Sequence, residues 1–426
     1  MRIVDRDAGR HCTPKAVRGL SRCCGYKHST TTWFDAPKGR ALRDFKTDIC
    51  LTRKLAACAT IRSMRILQIC SARQIGGGER HLVDLTNGLA RRAHDVFAAL
   101  VPSSPLLSQL SGVPGQNIVK VPMRNVLNVS SALKLARFTN ANRIQIIHAH
   151  VARDYPLAAL VARRSSAHLI LTRHVLFPMN RAHKLSLRRT DRVIAVSQAV
   201  ADELRARRIF SPENIVLIHN GIDVDRFARG REDFLTKEEV ENQKLCVGMI
   251  GHLAPIKGQE DFIRAAAIVC RQRPDVEFVI AGDDKSRTGE HRRRIERLIG
   301  GLNLEQHVSL IGWVDDIAQL LPKFDLFVSP SRSEPFGLSI VEAMAAGVPV
   351  IATASEGARE IIDDQLDGRL VPVGDAEALA DAISGLLADS HMRERLSAEA
   401  QRRVRERFSL EQMLDATEEV YRDVVR

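Results

Sequence analysis

The sequence predicts an α/β chain built from two parallel-sheet domains, and three observations carry that expectation. From Met64 onward, short apolar runs alternate with segments whose apolar residues recur at helical spacing. Strands buried on both faces and covered by helices give this pattern. A polar and charged stretch, residues 224–244, divides the alternation into two sets, as a domain boundary would. Each set opens on a strand, a glycine-containing loop and a helix, the arrangement that brings backbone close to a phosphate. The length of 426 residues suits two or three domains of roughly 100–200 residues each.

In the first set, residues 64–223, Met64 to Cys70 is a buried opening strand. The loop that follows ends in Gly76-Gly77-Gly78, and Leu82, Leu85, Leu89 and Ala90 then share one helical face. The loop matches neither G-x-G-x-x-G nor a Walker loop, so a nicotinamide cofactor or ATP is not indicated. Further strands are expected at 94–102, 118–122, 144–148, 168–172, 191–197 and 215–218, with helices at 130–140, 155–164 and 198–207. Ligands of such sheets lie beyond the carboxyl ends of the strands, where His148, His150, Arg173, His174 and Ser197 fall. His148 and His150 read as polar strand-end residues rather than a zinc pair, because no third ligand stands out. Arg181, Lys184, Arg188, Arg189 and Arg192 form either a solvated helix face or a surface for an anionic acceptor or membrane. Asn220-Gly221 is a turn leading into the linker, 224–244.

The second set, residues 245–407, begins with the strand Leu245 to Ile250, a loop from Gly251 to Gly258, and a helix from Gln259 to Gln272. Lys257, on that glycine-bounded loop, suits a diphosphate: a point charge beside backbone donors. Strands at 276–282 and 308–311 and helices at 292–299 and 317–321 come next. The stretch from Asp325 to Ala352 is the most informative. It reads as a strand to Ser329, a Pro/Ser loop, a helix from Phe336 to Ala346 closed by Gly347 and Pro349, and a strand from Val348. Glu334 and Glu342 bracket the loop and the helix start, while Gly337 lets backbone approach a ligand. The Gly337 and Leu338 amides lie where unpaired donors and the helix dipole favour an anion. Phosphate donors beside hydroxyl acceptors suit a nucleotide sugar, although two glutamates at this spacing alone would read as solvated. A loop and helix at 353–362, a short strand at 368–373, a long helix over 376–407 and an amphipathic helix over 411–425 complete the chain.

The run E-P-F-G-L-S-I-V-E-A-M-A-A-G-V-P-V-I-A-T, residues 334–353, resembles the signature of retaining glycosyltransferases of the family 4 type. The G-G-x-E-R loop, Thr172-Arg173-His174, Val193 to Ser197, Ile218 to Asp223 and the loop Gly251 to Gly258 resemble further stretches of that family, over roughly residues 64–425. The resemblance implies the GT-B fold, two Rossmann-like domains facing across a cleft, with the last helix packing back on the first domain. It implies that Glu334 contacts the donor sugar, Glu342 holds the ribose, and His174 reaches the sugar from the first domain. It also implies donor contacts at Gly76, Gly77, Phe336, Gly337, Leu338 and Lys257. His252 stands where the family usually has Arg; partly charged near neutral pH, it would weaken the diphosphate site and make it pH-dependent. His174, Glu334 and Lys257 would carry catalysis, with the donor phosphate helping to deprotonate the acceptor. No metal or further cofactor is expected, the nucleotide-diphosphate sugar being a co-substrate. A sugar-nucleotide epimerase and a catalytically inactive binding protein are the alternatives.

Composition narrows the partners. Aromatics make up 4% of the chain, too few for the stacking platforms that grip single-stranded nucleic acid, and no nucleic-acid motif appears. Net charge is +9 over residues 1–63, +12 over 64–225 and −9 over 226–426. A basic first domain suits a cell-envelope glycolipid or polysaccharide-precursor acceptor, or peripheral contact with anionic lipid. Of eight cysteines, five lie in residues 1–63 without clean zinc spacing, which fits a reducing cytoplasm rather than a disulfide framework. Residues 1–63 lack periodicity and a signal-like apolar core. They read as a disordered extension or upstream translation, with Met64 the natural start.

Overall fold

The computed structural model describes residues 63–123, 129–180, 183–232, 244–286 and 288–426; the readings of residues 1–62 and Arg181 lie outside them. Two sheets, every described pairing parallel, form the frame. The first has seven strands in the order β3-β2-β1-β4-β5-β6-β7. These are β1 (Arg65–Cys70), β2 (Asp95–Leu100), β3 (Ile118–Lys120), β4 (Ile146–Ala149), β5 (His168–Arg173), β6 (Arg192–Ala195) and β7 (Ile215–Leu217). The second has six, β10-β9-β8-β11-β12-β13: β8 (Leu245–Ile250), β9 (Val276–Ala281), β10 (Val308–Gly312), β11 (Leu326–Ser329), β12 (Val350–Thr353) and β13 (Arg369–Val371). In each sheet the order reverses beside the first strand of the set, the switch point at which ligands of such sheets bind.

The helices are α1 (Gly77–Arg91), α2 (Val129–Ala141), α3 (Tyr155–Arg163), α4 (His183–Ser186), α5 (Gln198–Arg207), α6 (Val224–Glu232), α7 (Gln259–Gln272), α8 (Glu290–Gly301), α9 (Leu338–Ala345), α10 (Glu356–Ile361), α11 (Ala376–Ala388), α12 (Ser390–Arg407) and α13 (Leu410–Val425). The alternating apolar runs make both faces of each sheet greasy. One face of the first sheet packs with Leu82, Leu85 and Leu89 of α1 and Met413 and Leu414 of α13. Its other face joins α2 and α3 in a core continuous with α9 of the second domain.

Three sequence expectations change here: first, the helix expected at 317–321 is a turn followed by a 3-10 turn at Leu321–Lys323. The first part of the expected linker, Val224–Glu232, is helical: Val224 and Phe227 are buried, and their helix, α6, packs on α9; residues 233–243 lie outside the described ones. Two apolar residues in a charged stretch gave too sparse a period to show this. The helix expected over 376–407 is two helices, because Asp389 stops one and caps the next, its carboxylate accepting from Met392 N at 2.8 Å.

The chain returns to the first domain at its end. Ile222 N donates to Phe408 O at 3.0 Å and Leu410 N to Ile222 O at 2.8 Å, so two segments cross between the domains side by side. A Cβ on Gly221 would lie 2.4 Å from Ser409 O, which is why glycine follows Asn220. α13 then lies on α1, with Arg92 bridging Glu411, Asp415 and Glu418, and the Tyr421 hydroxyl bonded to His148 Nδ1 at 2.6 Å.

Candidate functional site

One cleft between the sheets brings together the ten residues that the family resemblance assigns to donor binding and catalysis: Gly76, Gly77 and His174 from the first domain; His252, Lys257, Glu334, Phe336, Gly337, Leu338 and Glu342 from the second. Arg80, Asn220 and Trp313 line it as well.

On the second-domain wall, Gly337 caps α9 at φ 117°, a left-handed conformation that costs a residue with a Cβ. Its geometry leaves the first amides of α9 free of intrahelical partners at the cleft, a site for an anion. The preceding loop is fixed by Gly357 N donating to Glu334 O at 2.8 Å. Lys257, from the turn before α7, places its ammonium 2.5 Å from Glu334 Oε2. Glu342, on the inward face of α9, is buried, with a side-chain exposure of 7%. Burial raises its carboxyl above the usual range, and Arg80, whose Nη1 stands 3.4 Å from Oε1, pulls the other way. Asp84 is pushed up to about 6, by burial first and then by Glu342.

On the first-domain wall, Gly76 caps α1, and its amide donates to Glu79 Oε2 at 2.9 Å. A Cβ on Gly77 would lie 3.3 Å from Leu338, and one on Gly78 3.2 Å from the His174 ring. The triple glycine therefore lets the two walls approach each other and lets His174 reach the cleft.

His252 departs from the expectation of partial charge. Burial, then the positive charges of Lys285, Lys257 and Arg80, lower its pKa to about 4, so the imidazole is neutral at neutral pH. It stacks on Trp313 at 5.9 Å between ring centroids. Lys285 sits over the other ring of that stack, 4.9 Å from the Trp313 centroid, and its Nζ donates to Ile75 O across the cleft.

The strand-end residues divide. His148 is buried between Tyr421 and Thr172, and Ser197 caps α5 by accepting from Val200 N at 3.2 Å; both hold the fold. Arg173 is buried too, donating to Phe177 O. Sequence left the His148–His150 pair without a third ligand. The structure supplies one elsewhere: nitrogens of His81, His150 and His174 lie within 4.8 Å of one another. His81 enters from the buried face of α1, where helical spacing makes it read as core. All three are held neutral by burial, the form in which imidazole binds a metal or a hydroxyl. His150 Nε2 already engages Gln68 Oε1 at 2.8 Å.

Glu360, on α10, joins the domains. It accepts from Gln198 N at 2.8 Å and Ala199 N at 3.1 Å, at the start of α5, and pairs with His219 at 3.1 Å.

The family model described as Glycosyl transferases group 1 matches residues 230–403, and that described as Glycosyltransferase Family 4 matches residues 75–226. N-acetyl-alpha-D-glucosaminyl L-malate synthase of Bacillus anthracis is 27% identical over 365 residues, covering 82% of this chain and 90% of that one. The lipopolysaccharide core biosynthesis glycosyltransferase LpsE of Rhizobium meliloti is 27% identical over 347 residues, 80% of this chain and 94% of its own. Among solved structures, Anabaena Alr3699/HepE in complex with UDP aligns with a TM-score of 0.74 at 23% identity, over 84% of this chain and 100% of its own. A glycosyltransferase from Rickettsia africae aligns with 0.74 at 24%, over 86% and 99%.

Proposed function

This chain belongs to the GT-B glycosyltransferases of the family 4 type, and we propose that it moves a sugar, with retention of configuration, from a nucleotide-diphosphate donor to a cell-envelope glycolipid or polysaccharide-precursor acceptor. The observation that carries the reading is the cleft wall around α9: anion-seeking amides at Gly337 and Leu338 and the Lys257 ammonium, flanked by carboxylates of Glu334 and Glu342. Cation and amides suit a diphosphate; carboxylates suit sugar hydroxyls.

In this reading Glu342 accepts from the ribose and Glu334 from the donor sugar. His174, neutral and facing the cleft beside Gly78, accepts from or donates to a sugar hydroxyl from the opposite wall. The bond from the anomeric carbon to the phosphate oxygen breaks as the acceptor oxygen bonds that carbon. The acceptor proton passes to the departing phosphate oxygen on the same face of the sugar, a displacement that retains configuration. Lys257 and the α9 amides stabilise the charge that collects on the diphosphate.

The acceptor would enter along the first domain. Lys184, Arg188 and Arg189 cluster there, with Leu185 and Phe177 exposed at 77% and 69%, a combination that suits an anionic lipid surface on the cytoplasmic side. No helix among the described residues is long and apolar enough to cross a membrane.

The deciding experiment is a thermal-shift screen of the full chain against UDP-, GDP- and ADP-sugars, followed by turnover of the stabilising donor with and without acceptor. The reading expects a rise in melting temperature with one nucleotide, lost in Glu342→Ala, and release of nucleoside diphosphate only with acceptor. Turnover without acceptor, giving an epimeric sugar, would establish the epimerase instead; a shift with no turnover would establish a binding protein.

A further inference from the structure

We propose that Arg80 of α1 and Lys285 of the loop after β9 supply the charge on the donor diphosphate that the residue at position 252 does not, so that the phosphates are gripped from both domains. This rests on the nucleotide-sugar reading above and assigns two residues to it.

A diphosphate brings more than one negative charge into a cleft where the described cation on the expected loop is Lys257 alone. The neutral His252 imidazole contributes at most a hydrogen bond. Yet the space around that imidazole is not short of positive charge: Lys285, Lys257 and Arg80 are the three cations close enough to act on it. Arg80 lines the cleft and is held by one long contact, 3.4 Å to Glu342. A guanidinium presents five donors in a planar fork that fits two phosphate oxygens, so most of its donor capacity faces the cleft unspent. Lys285 is kept at the rim by the Trp313 ring beneath it and the Ile75 carbonyl ahead of it. That leaves two of its three ammonium protons for a ligand.

The charged groups of the cleft pair with one another. Lys257 sits on Glu334 and Arg80 on Glu342, so each carboxylate expected to take a hydroxyl holds a cation expected to take a phosphate. A nucleotide-diphosphate sugar exchanges partners: phosphate oxygens replace the carboxylates on the cations, and hydroxyls replace the cations on the carboxylates. No charge is left buried and alone at the end, the condition a buried ionic site must meet. Arg80 comes from the first domain and Lys285 reaches toward it, so the phosphates would also draw the two walls together.

The test is calorimetric titration of the full chain with the nucleoside diphosphate it prefers and with the corresponding nucleoside. Arg80→Gln and Lys285→Gln should each lose about tenfold in diphosphate affinity, the effect of deleting one hydrogen bond to a charged group. Nucleoside affinity should stay level in Lys285→Gln, and an unchanged urea midpoint shows that both variants fold. Adding His252→Arg to either variant should recover most of the loss, because it returns the missing charge by another route. A diphosphate-to-nucleoside ratio unchanged in both variants, while Lys257→Gln lowers it, would overturn the assignment and leave the nucleotide-sugar reading standing. Wild-type chain that binds none of the nucleoside diphosphates would overturn both.

Discussion

Lys257 and Glu334, 77 residues apart in sequence, meet as ammonium on carboxylate at 2.5 Å on the cleft wall. The pair ties the diphosphate side of the site to the sugar side, so removing the cation disturbs both. Lys257→Ala should lower kcat/KM by about a hundredfold or more, the usual loss when a charge-stabilising donor is deleted. Lys257→Arg, which keeps the charge in a different shape, should retain part of the activity. Steady-state kinetics with the stabilising donor measure both.

Glu342 is buried with its carboxyl pushed up, the mark of a group the fold would rather hold neutral. Glu342→Gln should therefore leave the melting temperature equal to or above wild type, because Arg80, 27% exposed, can turn to water. Donor KM should rise about tenfold with loss of the strong ribose acceptor. A lower melting temperature together with an unchanged KM would show that the carboxylate serves the fold and not the ligand.

Acid should destabilise the protein through its histidines. The folded chain holds His81 at about 4 by burial, and His148, His150 and His174 shift the same way. In the unfolded chain each titrates near its ordinary value of about 6.5. As pH falls below about 6.5 the unfolded state binds protons that the folded state refuses, so stability drops. His81 alone contributes about 1 kcal/mol per pH unit between about 6.5 and 4. Asp84, raised to about 6, and Glu342, Asp154 and Asp367, raised by burial, oppose this, since their folded forms take up protons before their unfolded forms do. Urea unfolding at pH 7.5 and 5.5 should show a net loss, smaller in His81→Asn.

Gly221→Ala places a methyl 2.4 Å from Ser409 O, where backbone on both sides leaves no side chain to yield. It should cost about 2 kcal/mol or more, read as a lowered urea midpoint. A tolerated substitution would mean that the crossing at residues 221–222 and 408–410 is loose.

Sequence reaches the strands and the α9 wall because their signals are local. An apolar run marks each strand, and Glu334, Gly337, Leu338 and Glu342 lie within one turn-and-helix stretch. It does not reach contacts that exist only once the two sheets face each other. Arg80 and Glu342 are 262 residues apart, and although Arg80 closes the G-G-x-E-R stretch, nothing local shows that it will meet Glu342. His81 follows it on the core side and looks like core. Glu360, one glutamate in a short helix, gives no sign that it will cap α5 of the other domain. Nor could the state of His252 be read from its type: three cations and burial set it, and their positions belong to the fold.

The paired crossing at Ile222 and Ser409 limits how the molecule can open. Domains joined by one thread can swivel and twist freely. Here two strands of backbone lie against each other, bonded at 3.0 and 2.8 Å, and behave as two pins through one hinge plate. Such a joint permits one rotation, about the line through both pins, and resists shear and torsion. Any rotation about that line would keep the Gly337 amides and the Gly76 loop in the same register across the cleft.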